Sequence, residues 1–412
     1  MNFKKVMAAV LAGTMVFGMA SSVSAATEVS FWTLNTRQNA VEPIVEAFNE
    51  ANPDIKVTAS FYDTDGIKDA CKVAASSDTL PSMWFNWGGS LGSFYVDNDK
   101  TYDLTQYAKD NGWSDEFTEA ALNLCTFDNK LSGYPTSYNA LGVYYSKQIF
   151  DDCGIEVPTT FDEFEAALKT LKDNGYTPMD TAGLNGWHVM RWLELLVEHY
   201  AGSELHDKLN TFEESWDCEA VVQAFTKYKE WVDAGYFPDG FLTLDPNDTI
   251  MAMGTGECAM DLQGQWYDGT MIQNDLDPND YGVFAFPSGD SNRMSAFAEM
   301  TQFNKNLSDE ELDACVKFMD YYYSDDSVDQ YGEYYNLPLP KQGKKAPADQ
   351  VNVDGMLEAS NTNGTFTITD QAFPTEVADV LFNAQDAVAN DEMTPEEAAS
   401  NIQKAIEEYQ AK

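Results

Sequence analysis

The order of hydrophobic and polar positions between residues 28 and 85 predicts strands and helices in alternation. A polar-apolar alternation of period two is typical of a half-buried strand, whereas apolar residues three and four positions apart form one face of a helix. Val41, Ile44 and Phe48 have the helical spacing, and Pro53 lies just beyond the helix that they predict. The predicted elements are a strand over 28–34, a helix over 38–52, a strand over 55–61, a helix over 66–75 and an apolar strand at 83–85. This order is typical of a mostly parallel α/β sheet.

Three later helices are predicted from capping boxes, in which Ser or Thr at the helix start is followed three positions later by Glu. The pairs are Thr160 with Glu163, Ser308 with Glu311 and Thr394 with Glu397. Short strands are predicted over 142–145, 259–262 and 281–286. The sequence has neither an internal repeat nor a long Gly/Ser linker, although 412 residues are enough for two or more domains. We therefore expect interleaved domains, with the chain crossing between them more than once.

The first 26 residues are predicted to be a signal peptide rather than part of the fold. Lys4 and Lys5 precede an apolar stretch over 6–20, which is too short to span a membrane comfortably. Small residues follow, so cleavage is expected after Ala25 or Ala26. A short buried helix is the alternative. We expect the mature protein to be exported, because no other run approaches the roughly 20 apolar residues of a transmembrane helix.

The charge balance argues against two classes of partner. The chain has 24 Lys and Arg residues against 68 Asp and Glu residues, which gives a formal net charge of −44. A surface this acidic repels phosphate backbones and anionic lipid headgroups. We therefore expect neither nucleic-acid binding nor a peripheral membrane role. The chain is also rich in aromatic side chains, with 21 Tyr, 24 Phe and 9 Trp residues that could form ligand platforms.

The spacing of cysteines and histidines predicts neither a metal site nor a cofactor. Six cysteines are scattered without a Cys-x-x-Cys pair, and we expect most of them, including Cys258 and Cys315, to be small core residues. The three histidines lack the spacing of zinc hydrolases, and the chain has no Walker-type phosphate loop. A carboxylate pair for glycoside hydrolysis is defined in space rather than in sequence. A secreted glycoside hydrolase therefore stays open as an alternative.

Five segments, taken in order, resemble the family 1 extracellular solute-binding proteins. These proteins are the sugar-capturing subunits of ABC importers and are similar in fold to maltose-binding protein. The segments are FWTLN at 31–35, PSMWFNWGGS at 81–90, the stretch 127–171, TGECAMDLQGQW at 255–266 and YGVFAFPSGD at 281–290. The resemblance implies a two-lobed α/β fold, in which interleaved domains are joined by crossing hinge strands and hold a sugar between them.

The resemblance also implies where the lobes begin and end. The N-terminal lobe is expected over 27–138 and about 300–340, and the C-terminal lobe over 139–299 and about 341–412. Crossings are expected near Tyr138 and Asn139, over 297–303 and again after Pro340. In bacteria with one membrane the family usually carries a lipid-anchored cysteine after the signal, but the first cysteine here is Cys71. We therefore expect a periplasmic or released protein, or one held by its transporter.

A neutral sugar needs aromatic platforms for its C–H faces and polar side chains for its hydroxyls. The resemblance implies Asn35 and Arg37 after the first strand, Trp87 and Ser90 after the third, Tyr138 and Asn139 at the first crossing, and a stacking Trp266. Gly88 and Gly89 are expected to allow close backbone approach. Trp84 is expected in the core.

Three further candidates come from their positions along the chain. Trp187 and His188 lie in a predicted loop before a helix at 191–200, either as a second platform or as ordinary loop residues. Glu299 lies near the second crossing, where it either accepts a sugar hydroxyl or is a solvated charge.

The expected function is that of a non-enzymatic, monomeric receptor that delivers an oligosaccharide to the membrane permease of an ABC importer. The stretch 81–98 and the YDLT that follows it resemble the receptors of xylo-oligosaccharides and other β-linked glycans. A surface adhesion protein is a third functional class. We do not favour it, because such a protein is expected to have repeats or an anchor motif and the sequence shows neither.

Overall fold

The computed structural model describes residues 26–117, 119–289, 292–331 and 349–412. The predicted signal peptide up to residue 25 and the segment just after Pro340, where a third crossing was expected, lie outside the described residues.

Strands and helices alternate along most of the described chain. The strands are β1 (Thr27–Leu34), β2 (Ile55–Tyr62), β3 (Met83–Trp87), β4 (Thr126–Phe127), β5 (Lys130–Leu131), β6 (Gly133–Ser146), β7 (Thr177–Asp180), β8 (Cys258–Gly264), β9 (Tyr281–Phe284), β10 (Met294–Phe303) and β11 (Thr365–Thr367). The helices are α1 (Gln38–Ala51), α2 (Thr64–Ser76), α3 (Gly89–Asp97), α4 (Thr105–Asp110), α5 (Trp113–Glu116), α6 (Glu119–Leu124), α7 (Lys147–Cys153), α8 (Phe161–Asp173), α9 (Trp187–Asn210), α10 (Glu219–Asp233), α11 (Thr249–Thr255), α12 (Tyr267–Gln273), α13 (Asp309–Tyr322), α14 (Asp325–Tyr331), α15 (Val353–Asn363), α16 (Thr369–Ala372), α17 (Thr375–Ala389) and α18 (Pro395–Gln410).

The predicted helix starts are confirmed where a capping box marks them. Thr160, Ser308 and Thr394 each accept a hydrogen bond from the backbone N–H of the Glu three positions on, at the starts of α8, α13 and α18. Trp187 and His188, by contrast, form the first turn of α9 rather than a loop. Gly186, at φ 77°, lets the chain turn sharply into that helix, which a search for Ser, Thr or Asp caps does not detect.

One mixed sheet of nine strands lies at the centre of the described structure. The order of its main path is β2-β1-β3-β10-β6-β8-β7, with β11 paired to β10 and β9 paired to β6. β1 pairs parallel with β2 and β3, as the alternation predicted. The pairs β3-β10, β10-β6 and β6-β8 are antiparallel, so the prediction of a mostly parallel sheet is wrong for its middle. These partners are distant in sequence, so no local pattern carries their relative direction.

Two long strands, β6 and β10, run across the middle of the sheet. Residues 133–140 of β6 pair with β10, and residues 141–145 pair with β8 on the other side. β10 in turn pairs with β3 through residues 299–303. Tyr138 and Asn139 lie opposite Ala298 and Phe297 in this ladder. The two strands therefore connect the half of the sheet that contains β1–β3 to the half that contains β7 and β8.

Buried hydrophobic clusters lie on both halves of the sheet. Trp84 is completely buried, which confirms its prediction as a core residue. Cys258 and Cys315 are also buried, as predicted, and all six cysteines are free thiols. None of the helices in the described part of the chain is long and apolar enough to cross a bilayer.

Candidate ligand-binding cleft

A cleft of about 590 Å³ lies between the two halves of the molecule. One wall consists of the segment after β1, the start of α2 and Trp87 at the end of β3. The other wall consists of the start of α9, the segment around the start of α11, and the end of β8 with α12. Phe297 and Glu299 on β10 complete the lining. A ligand in this cleft would touch both walls and a strand that joins them.

Five aromatic side chains line the cleft: Trp87 on the first wall, Trp187, Trp266 and Tyr267 on the second, and Phe297 on β10. The ring centroids of Trp266 and Phe297 are 5.7 Å apart. Gly264 makes room for Trp266, because a Cβ at position 264 would lie 1.9 Å from the indole ring. Aromatic faces on both walls can stack on a flat ligand that has apolar faces.

Two cations lie against these indole rings. The Arg191 guanidinium carbon is 4.6 Å from the Trp187 ring centroid and 5.5 Å from that of Trp266. The Lys68 ammonium is 5.0 Å from the Trp87 ring centroid, within cation–π range. Arg191 is only 6% exposed, and its burial lowers its pKa to about 10. The arginine therefore contacts both tryptophans of the second wall, and it also donates a hydrogen bond to the Gln263 side chain at 3.3 Å.

Arg37 and Glu299 form a buried ion pair at the cleft. Their closest atoms are 2.7 Å apart, and both side chains are about 5–6% exposed. Burial alone would lower the pKa of Arg37, but the neighbouring Glu299 carboxylate raises it above its ordinary value. Ser137 also donates to Glu299 at 2.5 Å. The Glu299 carboxylate therefore already accepts hydrogen bonds from Arg37 and Ser137.

Two carboxylates of the cleft, Glu299 and Asp65, are paired with cations. Lys68 lies 3.0 Å from Asp65, in addition to the pair of Arg37 and Glu299. Burial raises the pKa of Asp370, and the attraction of nearby Lys68 and Arg191 partly opposes this rise. These two ion pairs place both hydrogen-bond donors and acceptors at the cleft.

Hydrogen bonds also join the two walls at the mouth of the cleft. Asn185, before α9, donates to Asp65 of α2 at 2.5 Å. Thr64 donates to Asn247 on the opposite wall at 3.4 Å. The structure is therefore of a conformation in which the walls touch.

The structure brings six of the ten predicted site residues to the cleft: Asn35, Arg37, Trp87, Trp187, Trp266 and Glu299. The other four lie outside its lining. Asn139 and His188 are completely buried, the first donating to Ser137 and the second lying 3.3 Å from Asp261. The Tyr138 hydroxyl is hydrogen-bonded to Thr365. Ser90 donates to the backbone oxygen of Asp370.

The glycines before Ser90 are needed for packing within the chain, which corrects the expectation that they admit a ligand. A Cβ on Gly89, whose φ is 60°, would lie 2.3 Å from the Gln371 backbone oxygen, and one on Gly88 would lie 2.9 Å from that of Leu124. Residues 88–92 have the pattern Gly-x-Ser-x-Gly between β3 and α3, which is typical of a hydrolase nucleophile. Among the described residues no histidine is hydrogen-bonded to Ser90, so the base that this nucleophile needs is missing there.

Sequence reasoning missed Lys68, Arg191 and Phe297. Arg191 follows Trp187 by four positions, so the two lie on one helical face once α9 is known to begin at Trp187. Lys68 lies within the helix predicted over 66–75, where no pattern marks it as a residue near the cleft. Within the described residues, no group of three or more His, Cys, Asp or Glu side chains could hold a metal ion.

Comparison with known proteins extends these observations. A model of the bacterial extracellular solute-binding protein family matches residues 33–329. The chain is 26% identical over 249 residues to an uncharacterized ABC transporter extracellular-binding protein of Pyrococcus horikoshii, covering 59% of this chain and 56% of the relative. The match thus spans a little over half of that relative's length. Over 329 residues the chain is 23% identical to the multiple sugar-binding protein of Streptococcus mutans, covering 74% and 72% of the two chains.

Solved structures match over almost the whole chain. A chitin oligosaccharide binding protein superimposes with a TM-score of 0.85 at 23% identity, covering 94% of this chain and 100% of that one. A second structure, from work on xylan utilization by the thermophilic bacterium Caldanaerobius polysaccharolyticus, has a TM-score of 0.83 at 21% identity, covering 92% and 100%. The chain therefore has the two-lobed α/β fold of these proteins, with crossing strands between the lobes. Together with the family match over residues 33–329, this fold makes the chain a member of the bacterial extracellular solute-binding protein family.

Proposed function

We propose that the protein is an exported receptor that captures an oligosaccharide and delivers it to the membrane permease of an ABC importer. The observation that supports this most is the cleft with tryptophans on both walls, Trp87 on one and Trp187 and Trp266 on the other. Indole faces suit the C–H faces of sugar rings, and the coupled donors and acceptors suit their hydroxyls. The pairing of cations with carboxylates favours a neutral ligand over an ion.

Within this class we propose a β-linked glycan, either a xylo-oligosaccharide or another member. The resemblance of residues 81–98 to receptors of such glycans is the first support. The second is that the similar solved structures include a chitin oligosaccharide binding protein and one from work on xylan utilization. The Streptococcus mutans relative, named as a multiple sugar-binding protein, supports the broader class of sugars.

The site that we propose uses the residues that line the cleft. Trp87, Trp187 and Trp266 stack on sugar rings, and Asn35 binds hydroxyls. Arg37 and Glu299 bind further hydroxyls through hydrogen-bonding positions that their own ion pair does not use. Ser90, Tyr138, Asn139 and His188 are left out of this site, because none of them lines the cleft and each is bonded within the protein.

The division into lobes is also a proposal. The N-terminal lobe comprises 27–138 and about 300–340, and the C-terminal lobe comprises 139–299 and about 341–412. The supporting observation is that β6 changes its partner from β10 to β8 between residues 140 and 141. We propose that residues 1–26 are removed on export and that the mature protein acts as a monomer without a cofactor.

A secreted glycoside hydrolase is the alternative, and the cleft carboxylates do not favour it. Asp63 accepts the Gly66 N–H at the start of α2, and Asp245 accepts two hydrogen bonds from Asn247. Asp65 and Glu299 are paired with Lys68 and Arg37. Each carboxylate thus already has a partner, whereas a hydrolase needs one free to protonate the leaving group and another to attack or activate water.

A calorimetric screen of neutral oligosaccharides, followed by an assay for released reducing ends, tests the proposal. The mature protein should bind at least one β-linked oligosaccharide in a one-to-one ratio and should release no reducing sugar from it. Turnover of the bound sugar would establish the hydrolase instead. Absence of binding to every sugar in the panel would contradict the receptor.

A further inference from the structure

A small chamber of about 50 Å³ adjoins the cleft. It shares five lining residues with the cleft, among them Trp87, Trp187 and Phe297. Its volume holds a few water molecules, which is too little for a sugar ring but enough for a group of two or three heavy atoms. A ring bound against the shared aromatic walls could therefore place one substituent in the chamber.

Four side chains of the chamber lining carry a buried polar atom that has no hydrogen-bond partner among the described residues. The atoms are Trp187 Nε1, Arg191 Nε, Asp370 Oδ1 and Gln371 Oε1. Gln371 is 4% exposed and Arg191 is 6% exposed, so bulk solvent reaches little of either side chain. Buried polar groups without partners are unfavourable, and two donors and two acceptors meet at this one place. A ligand group that both donates and accepts would relieve this cost.

The rest of the chamber lining is mostly apolar, apart from Thr64 and Lys68, and comes from both sides of the cleft. Leu91, Ile368 and Phe297 provide hydrocarbon surface next to the polar atoms. Trp87 and Lys68 belong to the first wall, whereas Trp187 and Arg191 belong to the second. The chamber therefore widens when the walls separate and closes around whatever the ligand places there.

We propose that this chamber is a subsite for the hydroxymethyl group of a hexose ring. The inference rests on the proposed function and deepens it, because it selects hexoses among β-linked glycans. The methylene would pack on Leu91 and Ile368, while the hydroxyl would donate to Asp370 or Gln371 and accept from Arg191 or Trp187. A xylose ring has no hydroxymethyl group, so it would leave the four polar atoms of the chamber without a ligand partner.

Calorimetric titration with cellotetraose and xylotetraose tests the subsite. The two sugars have the same β-1,4 backbone and differ only in the hydroxymethyl group. Cellotetraose should bind about 10- to 100-fold more tightly, the range expected for a small group in a fitted pocket. Equal affinities, or tighter binding of xylotetraose, would overturn the subsite and leave the receptor function intact. Binding of neither sugar would contradict both the subsite and the β-linked ligand.

Two variants test whether the preference for cellotetraose over xylotetraose arises in the chamber. Gln371→Met removes one of the unpaired groups at similar volume and should bring the ratio of the two affinities close to one. Gln273→Met changes a residue that lines the cleft but not the chamber, and it should keep the wild-type ratio. If the Gln371→Met variant has a much lower melting temperature, Leu91→Phe replaces it as the test. The larger side chain fills the chamber from α3 and should lower the ratio of the two affinities in the same way. A wild-type ratio in a folded Gln371→Met or Leu91→Phe variant would overturn the assignment to the chamber.

Discussion

Tryptophans only three positions apart have different roles in this chain. Trp84 lies inside β3, is completely buried and has its ring centroid 5.4 Å from that of Tyr95. Trp87 ends the same strand and lines the cleft. The sequence could indicate this difference, because the position of each residue relative to the strand end is visible in it. It could not show that Arg37 and Glu299 bind each other, since 262 residues separate them.

The substitutions Trp266→Ala and Trp84→Ala should have opposite effects. Trp266→Ala removes a cleft platform, so it should weaken sugar binding by about 2–4 kcal/mol, or roughly 30- to 1000-fold, with a smaller change in stability. Trp84→Ala leaves a cavity in the core and should lower the free energy of unfolding by about 3–5 kcal/mol. Calorimetric titrations and thermal melts of both variants measure the two quantities. A Trp266→Ala protein that binds sugar normally but melts much lower would identify Trp266 as a core residue.

A buried carboxyl on α9 predicts a pH dependence of stability. Burial raises the pKa of Glu194 from 4.5 to about 8, although hydrogen bonds from Thr369 oppose the rise. The folded state therefore holds a proton that the unfolded state releases above pH 4.5, so the contribution of Glu194 to stability falls as the pH rises to about 8. The Glu194→Gln variant lacks this titrating group. The melting temperature of the wild type relative to that of the variant should therefore fall from pH 5 to pH 8 and stay constant above pH 8. A constant difference between the two proteins across this range would contradict the assignment.

Helices and strands are predicted well from local sequence when the residues that determine their ends lie within or next to the element itself. The starts of α8, α13 and α18 follow from their capping boxes, because the cap and its Glu are three residues apart. The start of α9 was misplaced because its determinant is a glycine with positive φ rather than a polar cap. The error affected the site, since it separated Trp187 from Arg191 and concealed the arginine that packs against it.

The end of β8 provides a prediction at the scale of elements. Gly264→Ala would bring a methyl group into the space of the Trp266 ring and displace this ring. The backbone at position 264 does not have a positive φ, so the substitution adds no backbone strain. We expect sugar affinity to fall by about tenfold or more, in line with the loss of a stacking contact. Gly355→Ala is the control, because a Cβ there meets nothing within 4 Å and should leave affinity unchanged. Equal affinities of the two variants would show that Gly264 does not position Trp266.

At the scale of the whole molecule, the cleft depends on which distant segments pair. The α/β class follows from the alternation of elements along the chain, but the antiparallel middle of the sheet does not, because β10 joins β3 and β6 across long stretches of sequence. The family resemblance supplied the two-lobed arrangement that local patterns could not. A ligand that contacts both walls would favour the closed arrangement by its additional contacts there.

Small-angle scattering should detect this closure. The walls touch in the present structure through the hydrogen bonds Asn185–Asp65 and Thr64–Asn247. The radius of gyration should be smaller with saturating sugar than without it, and the curve with sugar should agree better with this structure. An unchanged radius at saturation would contradict closure about β6 and β10.

The most direct test of the central claim, that the cleft holds the sugar, is a crystal structure of the mature protein with its tightest-binding oligosaccharide. We expect a sugar ring stacked on Trp266, with the oligosaccharide running between Trp87 and Trp187. Density for the sugar outside this cleft, or a ligand in the cleft that leaves all three indole faces uncovered, would contradict it.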